Sequence, residues 1–198
     1  MFLIIDNYDS FTYNIAHALE DAGARVRVER NDGIGLDDVT AMAPAAIVIS
    51  SGSGRPGAAG ISVPVVQEFA GRIPIVGIGL GLLCVAEAFG APIVPSQRPM
   101  HGKQETVVHD GQGLFAGMPS PLRVVRYDSL LAAAPLPDEL VASATAPGGE
   151  VMALRHRTLP VEAVQYHPAS ALSDGVSLWF ANVIRWARER KAEGVTIR

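Results

Sequence analysis

The stretch Ile73-Pro-Ile-Val-Gly-Ile-Gly-Leu-Gly-Leu-Leu-Cys-Val-Ala-Glu-Ala-Phe-Gly90 predicts a buried strand, a tight glycine turn and a helix. In a strand-turn-helix elbow of this kind, the usual pattern is Gly-x-nucleophile-x-Gly. The flanking glycines let the backbone bend sharply and place a Ser or Cys at the start of the helix. Here Gly77 and Gly81 keep the frame, and Gly79 stands at the position of the nucleophile. The sequence therefore predicts the elbow without its nucleophile.

The first half of the chain alternates apolar runs with segments of helical period. This alternation is typical of βαβ units, and it predicts a mostly parallel sheet with helices on both faces. We expect Asp9 or Ser10 to cap the first helix and Gly23 to end it. The predicted strands cover residues 2–5, 25–29 and 45–50 besides the elbow strand, and the predicted helices cover residues 11–22, 37–42 and 61–71.

The second half changes character, because short apolar segments there are separated by Gly and Pro. A last helix is expected over residues 175–192, where apolar residues recur at the spacing of one helix face. The length of 198 residues fits a single domain spanning residues 1–198. The short segments predict antiparallel strands and connections at residues 105–109, 122–126, 140–145, 151–155 and 162–165.

Composition argues against several classes of function. The formal charge of −4 and the dispersed Lys and Arg residues leave no basic field for nucleic acid. No apolar run is long enough for a membrane span, and we expect no signal peptide because the chain opens on a strand. The single cysteine excludes an internal disulfide, and the five histidines show no zinc-like spacing. We expect a cytoplasmic protein without a metal or a cofactor.

A glycine-rich loop follows the third predicted strand. Gly52-Ser-Gly-Arg-Pro-Gly57 matches the G-x-G-x-x-G pattern of dinucleotide sites. Pro56 and Gly57 delay the following helix, however, and no acid that would bind a ribose follows at the expected distance. A loop that presents its N–H groups to a small anionic or carbonyl group is favoured.

Three further side chains are candidates for chemistry. His167 follows a predicted strand, where α/β enzymes often carry a base, and a structural histidine in a turn fits equally well. For His101, in Met100-His-Gly-Lys103, a loop or interface role is favoured over catalysis. Cys84 is expected to be a buried, unreactive thiol, because reactive thiols need exposure and positive surroundings.

Several blocks together resemble the class I glutamine amidotransferases, and in particular the glutaminase subunits of anthranilate synthase and aminodeoxychorismate synthase. The resemblance implies a flavodoxin-like α/β fold. It also implies a subunit that hydrolyses glutamine and passes ammonia to a synthase that aminates chorismate. The blocks are Asp6-Asn-Tyr-Asp-Ser-Phe-Thr-Tyr-Asn14, Gly54-Arg-Pro56, Ala59-Gly-Ile-Ser62, Glu87-Ala-Phe-Gly90, Met100-His-Gly-Lys103, Gly113-Leu-Phe-Ala-Gly117 and Val164-Gln-Tyr-His-Pro168.

The sequence departs from the resemblance at the catalytic positions. Family members carry Gly-x-Cys-Leu-Gly-His-Gln at the elbow, so Gly79 stands in place of the nucleophilic cysteine and Leu82-Leu83 in place of His-Gln. The family's His-Pro-Glu becomes His167-Pro-Ala169, which keeps the base and removes the acid that orients it. Natural divergence and deliberate redesign both fit these coordinated changes.

Two loops of the implied pocket also differ. Ser-Pro-Gly-Pro-Gly becomes Ser50-Ser-Gly-Ser-Gly54, and Arg-Tyr-His-Ser-Leu becomes Arg126-Tyr-Asp-Ser-Leu130. The residues expected to line a ligand pocket are Ser51, Gly52, Ser53, Gly54, Leu80, Leu83, Asp128 and Ser129. The residues expected at a partner interface are Asn7, Tyr8, Asp9, Ser10, His101 and Lys103.

The sequence favours a subunit that has lost glutaminase activity and acts as a non-catalytic partner of a chorismate-using synthase. The retained Asp6 to Asn14 block supports docking, whereas the changes around Gly79 remove the route through a thioester. An alternative is an enzyme with altered chemistry, in which His167 is the base and Ser51, Ser53 and Asp128 supply new polar groups. An ordinary glutaminase that supplies ammonia is the least favoured function.

Overall fold

The computed structural model describes residues 1–192. Within this range the chain forms one sheet of nine strands and five α-helices. The strands are β1 (Phe2–Asn7), β2 (Val26–Arg30), β3 (Ala46–Gly52), β4 (Ile75–Ile78), β5 (Ile93–His109), β6 (Leu122–Ala132), β7 (Leu140–Thr145), β8 (Val151–His156) and β9 (Val161–Val164). The helices are α1 (Thr12–Asp21), α2 (Leu36–Met42), α3 (Ser62–Phe69), α4 (Leu80–Ala88) and α5 (Val176–Ala192).

The strand order is β2-β1-β3-β4-β9-β8-β7-β5-β6. The first five strands in this order pair in parallel, and the pairs from β9 through β8, β7 and β5 to β6 are antiparallel. The predicted mostly parallel sheet with an antiparallel part is therefore confirmed. The antiparallel assignment of residues 162–165 is wrong on one side, because β9 joins β4 in parallel and returns the chain to the centre of the sheet.

Side chains alternate between two cores on the two faces of the sheet. In β1, Phe2 and Ile4 face the core under α1 and α5, whereas Leu3 and Ile5 face the core under α2, α3 and α4. A strand buried on both faces needs apolar residues at consecutive positions, which explains the unbroken run in β1. Burial of each such side chain contributes roughly 1.5–3 kcal/mol.

The start of α1 differs from the prediction. The helix begins at Thr12 and Phe11 is its capping residue, with no side-chain cap. Asp9 contributes only its carbonyl oxygen, which accepts the N–H of Thr12 at 3.2 Å. The prediction of Asp9 or Ser10 as the cap was therefore wrong, and the Asp9 carboxylate remains available for the site described below.

Strand β5 is much longer than the predicted segment 105–109, because it runs for 17 residues from Ile93 to His109. Its register against β6 shifts between Pro95 and Met100 and again between His101 and Lys103. Gly102, at φ +66°, lies inside the second irregularity. Bulges of this kind let a strand continue past residues that otherwise interrupt it. His101 therefore lies in a strand, and the loop assignment was wrong.

Candidate functional site

A cleft of about 620 Å³ lies where β1, β3, β4 and β9 end, and β5 and β6 form its far wall. Ligands of open α/β sheets bind at such carboxyl ends. All eight residues predicted to line a ligand pocket lie at this cleft. The lining residues are Asp9, Ser10, Phe11, Ser51, Gly52, Ser53, Gly54, Leu80, Leu83, Pro99, Met100, His101, Lys103, Tyr127, Asp128, Ser129, Leu130, Gln165 and His167.

The elbow between β4 and α4 forms the floor of the cleft. Gly79 takes φ +58° and ψ −111°, a conformation that L side chains rarely adopt. A Cβ atom on Gly77 would lie 2.5 Å from the carbonyl oxygen of Gly81, and one on Gly81 would lie 2.2 Å from that of Ile49. Neither position has room for a side chain. The turn needs its flanking glycines for close packing, and this explains why the frame remains although the nucleophile is absent.

Ser51 fills the space beside the empty nucleophile position. A Cβ atom built on Gly79 would lie 3.1 Å from the Cβ atom of Ser51. The Ser51 side chain therefore lies where it contacts the base of any side chain at position 79. The resemblance implies a proline at position 51, so Ser51 is a departure from the family pattern.

Ser51 connects two titratable groups from distant parts of the chain. Its hydroxyl group donates a hydrogen bond to the Asp9 carboxylate. Its Oγ atom also lies 3.1 Å from Nε2 of His167. The chain Asp9–Ser51–His167 joins the loop after β1, the end of β3 and the turn after β9. We call these three residues the polar chain.

His167 is buried at 3% exposure and is held from several sides. Its backbone N–H donates to the carbonyl oxygen of Val125 at 2.9 Å, and its ring lies against Phe11 at 4.4 Å between centroids. Burial lowers the pKa of His167 to about 4, although the negative charge of Asp9 opposes the shift. The imidazole is therefore neutral near pH 7.

The orienting acid implied by the family pattern is absent. Ala169 is half-buried and packs against the core under α1 and α5. Among the described residues, Nδ1 of His167 has no hydrogen-bond partner. In a neutral imidazole one nitrogen carries the proton. With Nδ1 unpartnered, the hydrogen bond to Ser51 is what orients the ring.

Asp128 does not offer its carboxylate to the cleft, which corrects the expectation from sequence. Both of its oxygens accept hydrogen bonds from Arg126 at 2.8 Å, and neither side chain is exposed. Glu150 binds the same guanidinium at 2.6 Å. Burial lowers the pKa of Arg126, but the hydrogen bonds to Asp128 and Glu150 outweigh burial and raise it. Asp128 is thus part of a buried ion pair beneath the cleft wall.

The remaining pocket residues divide into an apolar and a polar side. Leu80 and Leu83 are buried at 4% each in the first turn of α4, where an apolar surface cannot hydrogen-bond a polar ligand. Ser53, Gly54 and Ser129 are exposed at the opening of the cleft. The floor is therefore apolar beside α4 and polar beside the polar chain.

Of the residues predicted at a partner interface, Asp9, Ser10, His101 and Lys103 line the cleft. Tyr8 is 60% exposed, Asp9 is half-buried, and Ser10, His101 and Lys103 are exposed. Asn7 is buried at 5%. Its amide bonds Ser50, Asn31 and Ser62, so it ties β1 to the neighbouring loops. Its assignment to an interface was wrong.

Two other sequence expectations can be placed. Helix α3 begins only at Ser62, after a short 3-10 turn at Pro56–Ala58, and a Cβ atom on Gly57 would contact nothing within 4 Å. The loop at 52–57 therefore lacks the third glycine contact of a dinucleotide site. Cys84 is fully buried, and burial raises the pKa of its thiol to about 12. A thiol of this kind is inert at neutral pH.

Within residues 1–192, no group of three His, Cys, Asp or Glu side chains is arranged to hold a metal ion. The same part of the chain contains no helix with the length and apolarity to cross a membrane.

Sequence reasoning missed the link between Asp9 and the base. Asp9 was assigned to a cap and to an interface, because a residue just before a helix is usually interpreted in that way. It also missed Phe11, Tyr127 and Gln165 as cleft residues. Phe11 and Gln165 lie inside the blocks that carry the family resemblance, so the blocks held a usable signal.

Comparison with known proteins finds relatives over nearly the whole chain. The model of the family described as glutamine amidotransferase class-I matches residues 3–186. Aminodeoxychorismate synthase component 2 of Klebsiella aerogenes is 45% identical over 185 residues, which are 93% of this chain and 99% of that protein. Anthranilate synthase component 2 of Pseudomonas aeruginosa is 41% identical over 200 residues, which are 98% of this chain and 100% of that protein.

Solved structures share the fold. One of them, a glutamine amidotransferase from Thermotoga maritima, superposes with a TM-score of 0.70. It covers 97% of this chain at 15% identity, and 82% of that chain is matched. That likeness concerns the fold alone. From the extent of the family match and of the two component 2 alignments, the chain belongs to the class I glutamine amidotransferases.

Proposed function

We propose that this chain is a component 2 type subunit that docks on a chorismate-using synthase without hydrolysing glutamine. Its relatives are named as component 2 of anthranilate or aminodeoxychorismate synthase, and a second component implies a first. The partner is therefore a synthase subunit of the component 1 type. The partner uses free ammonia or leaves chorismate without an amino group.

The observation that carries the proposal is the state of the elbow. Glutaminase chemistry of this type needs a thiolate to attack the amide carbon, and Gly79 has no side-chain atom. The space that a thiol would enter is bounded by Ser51, whose hydroxyl group is held by Asp9 and His167. The base no longer has an orienting acid on Nδ1. The missing nucleophile and the missing orienting acid both affect the attack on the amide carbon. Neither group can therefore make up for the absence of the other.

Changes in the binding surface support the same conclusion. Leu83 occupies the position where the resemblance places an amide side chain, and it presents only carbon atoms to the cleft. A buried polar substrate group that loses its partner costs about 1–3 kcal/mol. Glutamine therefore loses affinity as well as reactivity at this site.

The face beside the cleft suits docking because Tyr8 is held rigid while its ring is exposed. The Tyr8 hydroxyl group donates to Asp32 at 2.8 Å, and the Arg30 guanidinium lies 4.3 Å from its ring centroid. Tyr8 also takes φ +60°, which a bulky residue adopts only when its surroundings hold it there. A preordered aromatic side chain loses little entropy on binding and is a common anchor of interfaces.

The docking test is co-expression of the chain with the component 1 synthase of its own organism, followed by affinity capture and titration calorimetry. A complex is expected, and Tyr8→Ala should weaken it by at least about tenfold, as for an interface anchor. Leu178→Ala, on α5 and 40% exposed, is the control for loss of an exposed apolar side chain and should leave the affinity unchanged. Failure of the two wild-type chains to associate would overturn the proposal.

A further inference from the structure

The polar chain places a hydroxyl group next to a neutral imidazole inside a cleft. Ser51 is 9% exposed and His167 is 3% exposed, and their Oγ and Nε2 atoms are within hydrogen-bond distance at 3.1 Å. A serine within reach of a histidine nitrogen is the arrangement from which acyl-transfer enzymes draw a nucleophile. This serine belongs to the end of β3, and the lost nucleophile belonged to the elbow that faces it.

The position of Ser51 is close to that of the missing nucleophile. Its Cβ atom lies 3.1 Å from the site that a Cβ atom on Gly79 would occupy. An acyl carbon that approaches the elbow therefore approaches Ser51 as well. Helix α4 begins at Leu80, and the N–H groups of Leu82 and Leu83 already donate to the carbonyl oxygen of Gly79. The N–H groups of Leu80 and Gly81 come before them and have no partner within the helix. These groups supply donors for a negative charge that develops on the acyl oxygen.

We propose that Ser51 is a displaced nucleophile, with His167 as its base, for the hydrolysis of small activated esters or thioesters. In the resting site the Ser51 hydroxyl group donates to Asp9, so for the attack it turns to Nε2 of an imidazole that carries its proton on Nδ1. Oγ then attacks the carbonyl carbon and forms an ester bond while its proton passes to Nε2. The bond from that carbon to the leaving oxygen or sulfur breaks, and the proton on Nε2 passes to the departing group. Water attacks the acyl-serine, its proton passes through Nε2, and the free Ser51 hydroxyl group returns with release of the acid.

Asp9 has a defined part in this step. Its carboxylate accepts the resting hydrogen bond of Ser51, and its negative charge raises the pKa of His167 against the effect of burial. The carboxylate therefore stabilises the imidazolium that forms when the proton moves to Nε2. Asp9 acts as a positioning residue, since it contacts the nucleophile and not the substrate.

The properties of the base define the substrate class. Burial leaves His167 with a pKa of about 4, so it is a weak base and its imidazolium is a strong acid. A weak base suffices for a substrate whose leaving group departs without help, such as an aryl ester or a thioester. Amides have poor leaving groups and remain out of reach, which agrees with a subunit that does not hydrolyse glutamine. Leu80 and Leu83 favour a short apolar acyl chain.

The test uses the purified full chain with p-nitrophenyl acetate and a fluorophosphonate probe. We expect ester hydrolysis above the buffer rate and a probe adduct on Ser51 by peptide mass spectrometry. Ser51→Ala and His167→Gln should each lower the rate by at least about tenfold, the usual range for a nucleophile or a base. Ser177→Ala is the control and should leave the rate unchanged, because this exposed serine lies on α5 and does not line the cleft.

Two results would overturn the assignment. One is a wild-type protein that gives no adduct on Ser51, and the other is a Ser51→Ala variant that hydrolyses the ester at the wild-type rate. Circular dichroism of each variant separates lost chemistry from lost folding, and adduct mapping on the wild-type chain needs no variant. Neither result affects the docking proposal, because association with the synthase is measured without an ester.

Discussion

Ser51 Oγ and His167 Nε2 lie 3.1 Å apart although 116 positions separate the two residues in the chain. The contact forms because β3 and β9 flank β4 in the sheet and end at the same edge. A serine at this place occupies the side of the elbow where a thiol would otherwise meet the imidazole. The two departures from the family pattern, Gly79 where the resemblance implies a cysteine and Ser51 where it implies a proline, thus concern one pair of facing positions.

Restoring the thiol alone should not restore glutaminase activity. In Gly79→Cys the new Cβ atom lies 3.1 Å from that of Ser51 and the backbone stays at φ +58°. Leu83 and Ala169 still lack the binding and orienting groups. We expect no ammonia release from glutamine above that of Gly79→Ala, which carries the same strain without the thiol. Robust release by the cysteine variant would show that the other changes are tolerated.

Low pH should destabilise the fold through His167. The unfolded imidazole takes up a proton near pH 6.5, whereas the folded one does so only near pH 4, because burial lowers its pKa. Between these values the unfolded imidazole binds more protons, so His167 by itself lowers the free energy of unfolding as the pH falls, by about 3 kcal/mol in total. Glu162, described below, acts in the opposite direction over nearly the same pH range. The contribution of His167 is therefore measured as the difference between wild type and His167→Gln in urea unfolding at several pH values.

In that measurement His167→Gln should remove the decrease between pH 6.5 and pH 4. His17→Gln, which changes an exposed histidine on α1, is the control and should follow the wild-type profile. Identical profiles for all three proteins would contradict a neutral, buried His167.

A rise in pH from about 4.5 to about 7 should destabilise the fold through Glu162, which lies in β9 at 4% exposure. Burial raises the pKa of this carboxyl group to about 7, although the N–H of Leu114, at 3.1 Å, opposes the shift. The folded chain therefore keeps its proton between about pH 4.5 and pH 7 while the unfolded chain loses it. Glu162 by itself therefore lowers the free energy of unfolding by about 3 kcal/mol as the pH rises through this window, and the difference between wild type and Glu162→Gln isolates this contribution from that of His167.

Glu162→Gln should remove this decrease, because the amide cannot ionise and its oxygen can still accept the Leu114 N–H. The variant therefore gains stability relative to the wild type as the pH rises from 4.5 to 7. Glu20→Gln, an exposed position on α1, is the control. Equal pH profiles of wild type and Glu162→Gln in denaturant unfolding would show that the buried carboxyl group ionises normally.

Gly77 and Gly81, the two glycines that flank the elbow turn, should tolerate no side chain. At an exposed position inside a helix, a Gly→Ala substitution stabilises the fold by up to about 1 kcal/mol. At Gly81 the added methyl group would lie 2.2 Å from the carbonyl oxygen of Ile49, so we expect Gly81→Ala to destabilise the fold by about 3 kcal/mol. Gly57→Ala, with no atom within 4 Å, should be close to neutral. Thermal unfolding of both variants measures the difference, and a stable Gly81→Ala would contradict this packing.

The ion pair beneath the cleft wall should contribute strongly to stability. Asp128→Ala leaves the buried guanidinium of Arg126 without its bidentate partner, and only Glu150 at 2.6 Å and Glu105 at 3.6 Å remain close to it. Breaking a buried pair costs about 3–5 kcal/mol, and an exposed pair costs about 1 kcal/mol or less. Asp174→Ala, which removes the exposed partner of Arg123, is the matched comparison. Similar losses in the two variants, measured in urea, would contradict the buried network.

The fold was predictable where periodicity and glycine chemistry act locally. The mostly parallel pairing follows from the apolar runs, the elbow from Gly77 and Gly81, and the last helix from its single apolar face. The eight predicted residues of the cleft were implied by the family resemblance, and the strands bring most of them together because parallel strands deliver their carboxyl ends to one edge. The orientation of the Asp128 carboxylate was not predictable, because it depends on the buried guanidinium of Arg126, two residues earlier in β6, which binds both of its oxygens. The length of β5 was also missed, since bulges depend on pairing with β6 and not on local sequence.

The most direct test of the central claim is synthase product formation with each nitrogen source. The chain and its component 1 synthase are mixed with chorismate and either glutamine or an ammonium salt. The account predicts a complex that forms no aminated product from glutamine, whether or not it forms product from ammonium. Glutamine-dependent formation of the aminated product at a rate comparable to the ammonium reaction would contradict it.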